Sequence, residues 1–480
     1  MHTNSLKFIT RPNDLVLSCR NNNGSLILGR VAEITNRGAS LEVYGGGHSL
    51  SLSETLNPLI IKLNGDEIFK GPVTIRGLVT TGHSMHCEVT FDHLKLDLDE
   101  HGLNDAEGFL EQYPALFKSW QDQLRISSPF KAAVADLQTY LKDLYAWLMQ
   151  LEGHQDAGIS PQSVMLGKRP NFVFRIENTV LATLNELFDR FERFMAELDE
   201  HELQRYRRYT RCQLHSLTLC APFVSRTFFK PLGYAGDYEM VNMMVRNGYE
   251  GDSLYAILLN RWFLNQAPAI AHRNRICFLT QRLVDESVRV SSENRGLRVL
   301  NLGCGPAHEI QQFLRASELS DQAEFTLLDF NEETIAHVES QLTSIKKSAN
   351  RRTMFHFQKK AVQQILRESG KAAKRTVERQ HDFVYCAGLF DYLTDAICQH
   401  MIGIMYSWLA PGGLLLLTNV DQSNPRRHTM ESLLEWNLIY RNSAQASRIL
   451  PPEIPDDAAT IHTELSGVNV VIEIRKPRHA

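Results

Sequence analysis

Residues 297–307, LRVLNLGCGPA, constrain the fold of this chain more than any other stretch. They open with an apolar run that only Asn301 interrupts, which is typical of a strand buried on both faces of a parallel sheet. The run then breaks at Gly303, Cys304 and Gly305, and apolar residues at helical spacing follow. A strand, a glycine turn and a helix bring a nucleotide-like ligand against bare backbone at a helix N-terminus. The stretch therefore predicts a Rossmann-like α/β domain with a ligand at this turn.

A second apolar run, residues 325–328, ends in Asp329, 26 positions after Gly303. A carboxylate at the end of the second strand accepts hydrogen bonds from both hydroxyls of a ribose, and the dinucleotide fold places one roughly 20 residues on. The third glycine of a pyrophosphate-binding turn is missing, and Pro306 and Ala307 follow the second glycine instead. The pattern therefore favours a ligand with a ribose and a small charged tail but no phosphates, such as S-adenosylmethionine. An ordinary tight turn between strand and helix is the alternative.

Two later motifs extend this pattern. Residues 381–393, HDFVYCAGLFDYL, predict a fourth strand with a loop at its carboxyl end. Residues 408–417, WLAPGGLLLL, predict a turn that leads from a helix into a fifth, apolar strand. With the glycine turn and Asp329, these motifs make residues 294–477 resemble class I S-adenosylmethionine-dependent methyltransferases. The resemblance implies a Rossmann-like sheet and S-adenosylmethionine as cofactor.

The resemblance also implies a set of cofactor contacts at the ends of four strands. In this family an acid after the third strand often meets the adenine amino group, whereas Lys359 and Lys360 stand here. Gln358 or a backbone carbonyl is the expected substitute. The implied cofactor-binding residues are Asn301, Gly303, Cys304, Gly305, Asp329, Phe330, Asn331, Gln358, Cys386, Ala387 and Gly388.

Candidate catalytic residues follow the fourth and fifth strands. Asp391 and Tyr392 come directly after the place where methyl group and acceptor meet in this family, although a structural Tyr392 that packs under the cofactor helix is the alternative. Residues 430–441 predict a helix over the carboxyl edge of the sheet, where acceptors bind in open α/β folds. Tyr440 and Arg441 at its end are candidates for gripping an acceptor carboxylate, which arginine does in bidentate fashion. A solvent-facing arginine is the alternative.

The 480 residues are enough for two or three domains. Short β-rich runs predict a small antiparallel β-barrel over residues 1–98, apolar stripes predict a helical module over 105–290, and the methyltransferase domain takes 291–480. A net charge of −4 gives no reason to expect nucleic-acid binding. Eight cysteines without a CxxC pair, and no apolar run of about 18 residues, predict a reduced cytoplasmic protein without a structural metal or a membrane span.

The barrel segment resembles a PilZ domain, a small barrel that often binds cyclic di-GMP. The resemblance rests on residues 33–39, EITNRGA, which stand where that family has D/N-x-S-x-x-G. Glu33 and Thr35 replace two of the three markers, and only Gly38 remains. The paired arginines that stack on guanine and bind its phosphates are absent as well. We therefore expect a structural or regulatory barrel that has lost its ligand, with cyclic di-GMP binding as the alternative.

Residues 228–238, FFKPLGYAGDY, carry more aromatic side chains than a connector needs. They predict either a packed corner capped by Asp237 or a lid that covers the cofactor and forms an apolar substrate wall, since binding loops often carry such groups.

The long helical module, GYAGDY at 233–238, CAGLFDYL at 386–393 and EWNLIYR at 435–441 together resemble the bacterial proteins that make the methyl ester of 3-hydroxypalmitic acid, a quorum-sensing signal. The resemblance implies an O-methyltransferase that acts on the carboxylate of a hydroxylated fatty acid, with the helical module as its tunnel. A carboxylate needs no general base because it is already ionised, whereas a phenol does. The first alternative is therefore methylation of a phenolic or other small metabolite, with His428 or His272 as base. The second is a non-catalytic signalling protein that senses the cofactor or a nucleotide.

Overall fold

The computed structural model of this protein describes residues 5–7, 15–20, 26–44, 50–63, 66–81, 84–92, 124–153, 161–165, 171–372 and 380–478, with the single residues 96, 117 and 121. The chain divides into two compact units. Unit 1 comprises Met1–Ala235, Gly248–Phe263 and His428–Trp436, and unit 2 comprises Gly236–Asn247, Leu264–Arg427 and Asn437–Ala480. The predicted domains, 1–98, 105–290 and 291–480, are continuous stretches of sequence, and their boundaries stay predictions.

In the described part of unit 1, seven strands form one antiparallel sheet in the order β1-β3-β2-β5-β6-β7-β4. Pairing of β3 with β4 closes the other six strands into a barrel. The strands are β1 Ser5–Lys7, β2 Leu15–Arg20, β3 Leu26–Thr35, β4 Gly38–Tyr44, β5 Thr55–Leu63, β6 Asp66–Thr81 and β7 Ser84–Phe91. Alternate apolar side chains, such as Leu17, Ile61 and Val73, fill the interior, which is the period-2 pattern of a half-buried strand. The predicted small antiparallel barrel is confirmed.

Fourteen α-helices are present in the described part of the chain. They are α1 Ser128–Gly153, α2 Pro161–Met165, α3 Asn171–Ala196, α4 Glu200–Thr218, α5 Pro222–Phe229, α6 Tyr238–Arg246, α7 Leu254–Leu264, α8 Ala267–Ser291, α9 His308–Ala316, α10 Glu332–Ser348, α11 Val362–Ala372, α12 Asp395–Ser407, α13 Arg427–Leu433 and α14 Ser443–Arg448. In unit 1 their apolar stripes meet in an aromatic core, in which Phe188 stacks on Trp262 with ring centroids 4.3 Å apart. The predicted helical region is therefore present. None of the described helices combines the length and the apolar character that crossing a bilayer requires.

Unit 2 is built on a second seven-stranded sheet in the order β10-β9-β8-β11-β12-β14-β13. Its strands are β8 Arg298–Leu302, β9 Glu324–Asp329, β10 Met354–Lys359, β11 His381–Ala387, β12 Leu409–Val420, β13 Ala459–Thr463 and β14 Asn469–Arg475. The first five run parallel, and β14 and β13 add an antiparallel end. The strand order reverses between β8 and β11, and ligands of open α/β sheets bind beyond the carboxyl ends at such a switch point. The predicted Rossmann-like architecture is confirmed.

The predicted helix over residues 430–441 is wrong beyond Leu433. Glu435 takes a left-handed conformation, with φ of +48°, which ends the helix. The chain then runs without helix, and the backbone N–H groups of Ile439 and Arg441 donate to the carbonyls of Asp391 and Val420. Helical periodicity in the sequence could not anticipate this, because the partners are supplied by distant loops.

Candidate active site

The glycine turn after β8 is tied to the neighbouring strand β9. The backbone N–H groups of Gly303 and Cys304 both donate to the carbonyl of Leu328, at 2.8 and 3.1 Å. Gly303 and Gly305 have φ of +67° and +50°, the left-handed region that glycine adopts at no steric cost. These hydrogen bonds place the turn at the carboxyl ends of β8 and β9.

The side of the turn is bare. A Cβ atom added to Gly305 would meet no atom within 4 Å, and one added to Gly303 would meet only Leu389, at 3.6 Å. Glycine is therefore not needed here to avoid a clash inside the protein. The open space beside the backbone is available to a ligand.

Asp329 ends β9 and faces the same turn. Its Oδ2 accepts from the backbone N–H of Gly305 at 3.2 Å, and its Oδ1 accepts from that of Asn331 at 3.0 Å. Burial raises the pKa of the carboxyl, and hydrogen bonds from these backbone groups and from Phe330 oppose that rise. A carboxylate offers about four acceptor positions, so each oxygen keeps capacity for a further donor. Open backbone beside a carboxylate with spare acceptor capacity fits a ribose with two hydroxyls.

Three of the predicted cofactor-binding residues, Phe330, Asn331 and Gln358, lie near this carboxylate in different roles. Phe330 leaves 48% of its surface exposed. Asn331 caps α10, because its Oδ1 accepts from the backbone N–H of Thr334. Gln358 is exposed on the edge strand β10. The backbone N–H of Lys360 donates to the Asp329 carbonyl at 2.7 Å, so the segment after β10 does reach this corner.

Beneath the turn lies a buried polar group. The side-chain amide of Asn301 and the Tyr385 hydroxyl both donate to Oε1 of Glu309, at 3.3 and 2.7 Å. Burial raises the pKa of Glu309, and the Tyr385 hydroxyl opposes this. Asn301 is thus engaged with Glu309 under the turn. Cys304 is buried as well, and burial raises its thiol pKa well above the ordinary value, which makes it unreactive.

The carboxyl end of β11 comes next to the glycine turn across Leu389. Cys386 is fully buried in the core, and Ala387 packs against the core on the opposite face of the sheet. Gly388 has φ of +99°, and a Cβ added there would lie 3.5 Å from Nη2 of Arg275. The end of this strand therefore faces a guanidinium group.

Arg275 was not anticipated from the sequence. It lies on α8, only 8% exposed, between the buried residues His272 and Leu279. Its Nη1 is buried without a hydrogen-bond acceptor. The available signal was a charged residue at a position of the helix where the spacing demands an apolar one.

Asp391 and Tyr392 follow in a short 3₁₀ turn. The Oδ1 atom of Asp391 accepts from the backbone N–H of Val420 at 2.7 Å, so the carboxyl ties the end of β12 to this turn. Burial raises the pKa of Asp391 to about 7, against the opposing effects of the Val420 hydrogen bond, Arg275 and Arg441. Tyr392 instead leaves 41% of its surface exposed.

Arg441 cannot grip an acceptor, contrary to the sequence-based prediction. Its five N–H donors all have acceptors within the fold: the carbonyls of Phe390 and Leu393, the side chain of Asn419, and Oδ1 of Asp395, which accepts twice. Arg441 therefore braces the loop after β11.

Tyr440 is held beside this brace by its aromatic ring. The guanidinium carbon of Arg427 lies 4.7 Å from the ring centroid. The ring also packs against the small apolar cluster of Ala271, Val420 and Val468. These contacts place Tyr440 in the packing of unit 2.

Helix α6 contacts the first two turns of α10 and the first residue of α9. The ring of Tyr238 stacks on His337 of α10 at 4.3 Å, and its hydroxyl donates to Glu333. The side chain of Asn242 hydrogen-bonds His308, the first residue of α9, at 2.8 Å. At the start of the helix, Oδ1 of Asp237 accepts from the N–H of Met240, so the predicted cap is confirmed.

Comparison with known proteins bears on this unit. Residues 293–460 match the family model described as "Methyltransferase domain". Among curated proteins no match reaches significance.

Solved structures resemble the chain at low identity. A possible exported protein from Bordetella parapertussis is 15% identical, with 67% of this chain and 99% of that chain covered and a TM-score of 0.37. Magnesium protoporphyrin IX methyltransferase from Synechocystis, with bound S-adenosylhomocysteine, is 12% identical, with 53% and 98% covered and a TM-score of 0.35. The N-methyltransferase NodS from Bradyrhizobium japonicum, in complex with S-adenosylhomocysteine, is 16% identical, with 50% and 98% covered and a TM-score of 0.30. At TM-scores this low the likenesses carry no argument about acceptor or mechanism.

The class follows from the turn, the buried carboxylate and the family match: residues 293–460 form a methyltransferase domain. The chain is therefore a methyltransferase, and the cofactor that its sequence predicts is S-adenosylmethionine. When bound, the cofactor supplies a methyl group from its sulfonium centre.

Proposed function

We propose that Gly303, Gly305 and Asp329 hold the cofactor, with Phe330 against its adenine. The support is the bare space beside Gly305 together with the spare acceptor capacity of a buried carboxylate at the same corner. Cys386, Ala387 and Gly388 then mark the place where the acceptor approaches, because they end the next strand across the switch point.

The acceptor in this proposal is the carboxylate of a 3-hydroxy fatty acid, which becomes a methyl ester. The observation that supports it is the state of His272, the histidine one turn before Arg275. Its Nδ1 hydrogen-bonds the Pro268 carbonyl at 3.0 Å, and burial lowers its pKa to about 3. Such a group is too weak a base to take a proton from a phenol near neutral pH. A carboxylate requires no base, because it arrives ionised.

The edge of the sheet also suits an aliphatic acceptor. Tyr392 and Ile439 leave 41% and 37% of their surfaces exposed, and they lie together because the Ile439 N–H donates to the carbonyl of Asp391. Exposed apolar side chains beside a reaction site are a common means of binding an alkyl chain.

A phenolic or other hydroxyl acceptor is the second candidate, and one observation favours it. The pKa of Asp391 is raised to about 7 by burial, which is where a general base works best near neutral pH. His428, proposed as a base from the sequence, lies in unit 1, where its backbone N–H donates to Glu192.

Release of S-adenosylhomocysteine should be measured from pH 5 to 9 with a long-chain 3-hydroxy fatty acid and with a set of phenols. A carboxylate acceptor predicts turnover of the fatty acid with a rate that is level above pH 6, and at least a third of that rate in Asp391→Asn when the cofactor is saturating. Tyr392→Ala should raise the KM for the long acid about fivefold, since roughly 1 kcal/mol of apolar contact is removed. Turnover of phenols alone, rising through about pH 7 and lost in Asp391→Asn, would refute the carboxylate proposal.

We further propose that the barrel of unit 1 is a PilZ-like domain that no longer binds cyclic di-GMP. A Cβ on Gly38, the one marker that remains, would lie 2.2 Å from the carbonyl oxygen of Val89, so this glycine is needed for strand packing alone. The Thr35 hydroxyl accepts from the N–H of Gly38 and is occupied within the turn. Calorimetric titration of the full chain with cyclic di-GMP should give no heat of binding, and a saturable micromolar isotherm would contradict the proposal.

A further inference from the structure

We propose that Arg275 binds the carboxylate of the amino-acid end of the cofactor, with the buried acids Asp391 and Glu309 placed to receive its ammonium group. The proposal concerns cofactor binding and is independent of the identity of the methyl acceptor.

The buried side chain of Arg275 has unmet hydrogen-bonding capacity. Among the described residues it makes no hydrogen bond and no ion pair, and it is 92% buried. A buried cation without hydrogen bonds is costly, and native proteins rarely keep one unless a ligand completes it. Its five N–H donors form a fork that matches a carboxylate in bidentate fashion.

The position of the guanidinium group also supports the proposal. Nη1 and Nη2 of Arg275 lie 3.6 and 3.5 Å from the place where Gly388 would carry a Cβ. Leu389, the next residue, lies beside Gly303, the first glycine of the turn. Arg275 therefore reaches the carboxyl edge of the sheet between β8 and β11, on the side of the glycine turn away from Asp329. A ligand whose ribose lies at Asp329 and whose chain passes the glycines directs its far end toward this group.

The charged groups around Arg275 also fit this ligand. Of the opposite charges that favour the charged form of Arg275, Asp391 is the strongest and Glu309 the second, although burial as a whole lowers the pKa of Arg275. Neither acid forms an ion pair with Arg275 among the described residues; Asp391 accepts from the backbone N–H of Val420 and Glu309 from the Tyr385 hydroxyl. One cation and two acids at the same place complement a zwitterion, which is what a free α-amino acid end carries.

The same charges argue against an acceptor carboxylate at Arg275. An isolated anion would be brought next to two acids without a cation of its own. Pairing with a guanidinium would also withdraw electron density from the oxygen that has to attack the methyl group. The cofactor end is therefore the better occupant, and the acceptor carboxylate is the rival that the experiment must distinguish.

The test compares S-adenosylhomocysteine with its decarboxylated analogue, which keeps the ammonium group and lacks only the carboxylate. Binding to the full chain is measured by titration calorimetry for the wild type, for Arg275→Gln and for Arg282→Gln. Arg282 is the matched control, since it lies on the same helix as Arg275 but pairs with Glu473 of β14. In the wild type, removal of the ligand carboxylate should weaken binding about 10- to 100-fold, which corresponds to a hydrogen bond to a charged group.

In Arg275→Gln, S-adenosylhomocysteine should lose that 10- to 100-fold, and the decarboxylated analogue should bind as it does to the wild type, within about threefold. Arg282→Gln should retain the wild-type preference. Equal weakening of both ligands in Arg275→Gln would overturn the proposal, because the effect would not depend on the carboxylate. Unchanged binding of S-adenosylhomocysteine with a raised KM for the acceptor would also overturn it and assign Arg275 to the acceptor.

A second variant separates ligand binding from folding. Arg275→Met removes the charge and keeps much of the volume, so the ligand-free protein should unfold at the same temperature as the wild type or at a higher one. The rise in unfolding temperature that S-adenosylhomocysteine produces in the wild type should shrink in this variant. A lower unfolding temperature of the ligand-free variant would show that Arg275 is a structural cation and would overturn the proposal.

Discussion

Replacing Gly305 by alanine tests whether the cofactor lies against the glycine turn. Gly305 has φ of +50°, and an added Cβ would meet no protein atom within 4 Å. The only cost to the fold is therefore the left-handed conformation, about 1–2 kcal/mol for a residue with a Cβ. Ala307, two residues later, already holds φ of +49°, so the turn accommodates such a residue.

The cost to binding is separate and adds to this. The new methyl group would stand in the space that the proposal gives to the ligand, and overpacking of this kind costs about 1–3 kcal/mol. The Kd for S-adenosylhomocysteine should therefore rise about 10- to 100-fold. The free energy of unfolding without ligand should fall by no more than about 2 kcal/mol.

Gly467→Ala is the matched control. Gly467 lies between β13 and β14, has φ of +75° and also has no atom within 4 Å of an added Cβ. The two variants should lose similar stability in chemical denaturation, and only Gly305→Ala should lose affinity in titration calorimetry. Equal affinity of the two variants would refute the placement of the cofactor at this turn.

Three further predictions concern the carboxylates and the brace. Asp329→Asn leaves one acceptor oxygen and should raise the Kd for S-adenosylhomocysteine about 10- to 100-fold in calorimetry, whereas the surface variant Asp321→Asn should not. The folded-state pKa of Asp391, about 7, exceeds the unfolded value of about 4, so its stabilising contribution is complete below about pH 4 and is lost as the pH rises through about 7. Asp391→Asn should therefore gain stability relative to the wild type between pH 5 and 8 in denaturant titrations, and a pH-independent difference would contradict the raised pKa. Arg441→Met should lower the free energy of unfolding by at least about 2 kcal/mol, because Asn419 and two carbonyls lose their donor, while a changed acceptor KM at unchanged stability would return Arg441 to a binding role.

The cofactor end of the site was predictable because its signals are local. The turn at Gly303 and Gly305 follows an apolar strand directly, and Asp329 ends the next one, so strand adjacency alone brings them together. The parallel sheet and the barrel followed for the same reason, since periodicity and turn residues lie within single segments.

The acceptor end was less predictable because its contacts join distant segments. Arg441 looked like a free cation, but its acceptors come from the loop after β11 and from the end of β12. The helix predicted around it gave way to such long-range hydrogen bonds after Glu435. Arg275 lies before the first strand of the sheet, outside the residues that motif reasoning covers. Its unmet hydrogen-bonding capacity becomes visible only when its neighbours are known.

The chain passes several times between the two units, and this order of segments constrains its synthesis and its truncation. Unit 2 begins with residues 236–247, is interrupted by 248–263 and ends only after 437, while unit 1 receives its last piece from 428–436. The ribosome must therefore reach residue 436 before unit 1 holds all its parts. A fragment that starts at residue 291 would lack α6 and nearly all of α8, which belong to unit 2, so we expect a fragment that keeps unit 2 whole to start upstream of Gly236.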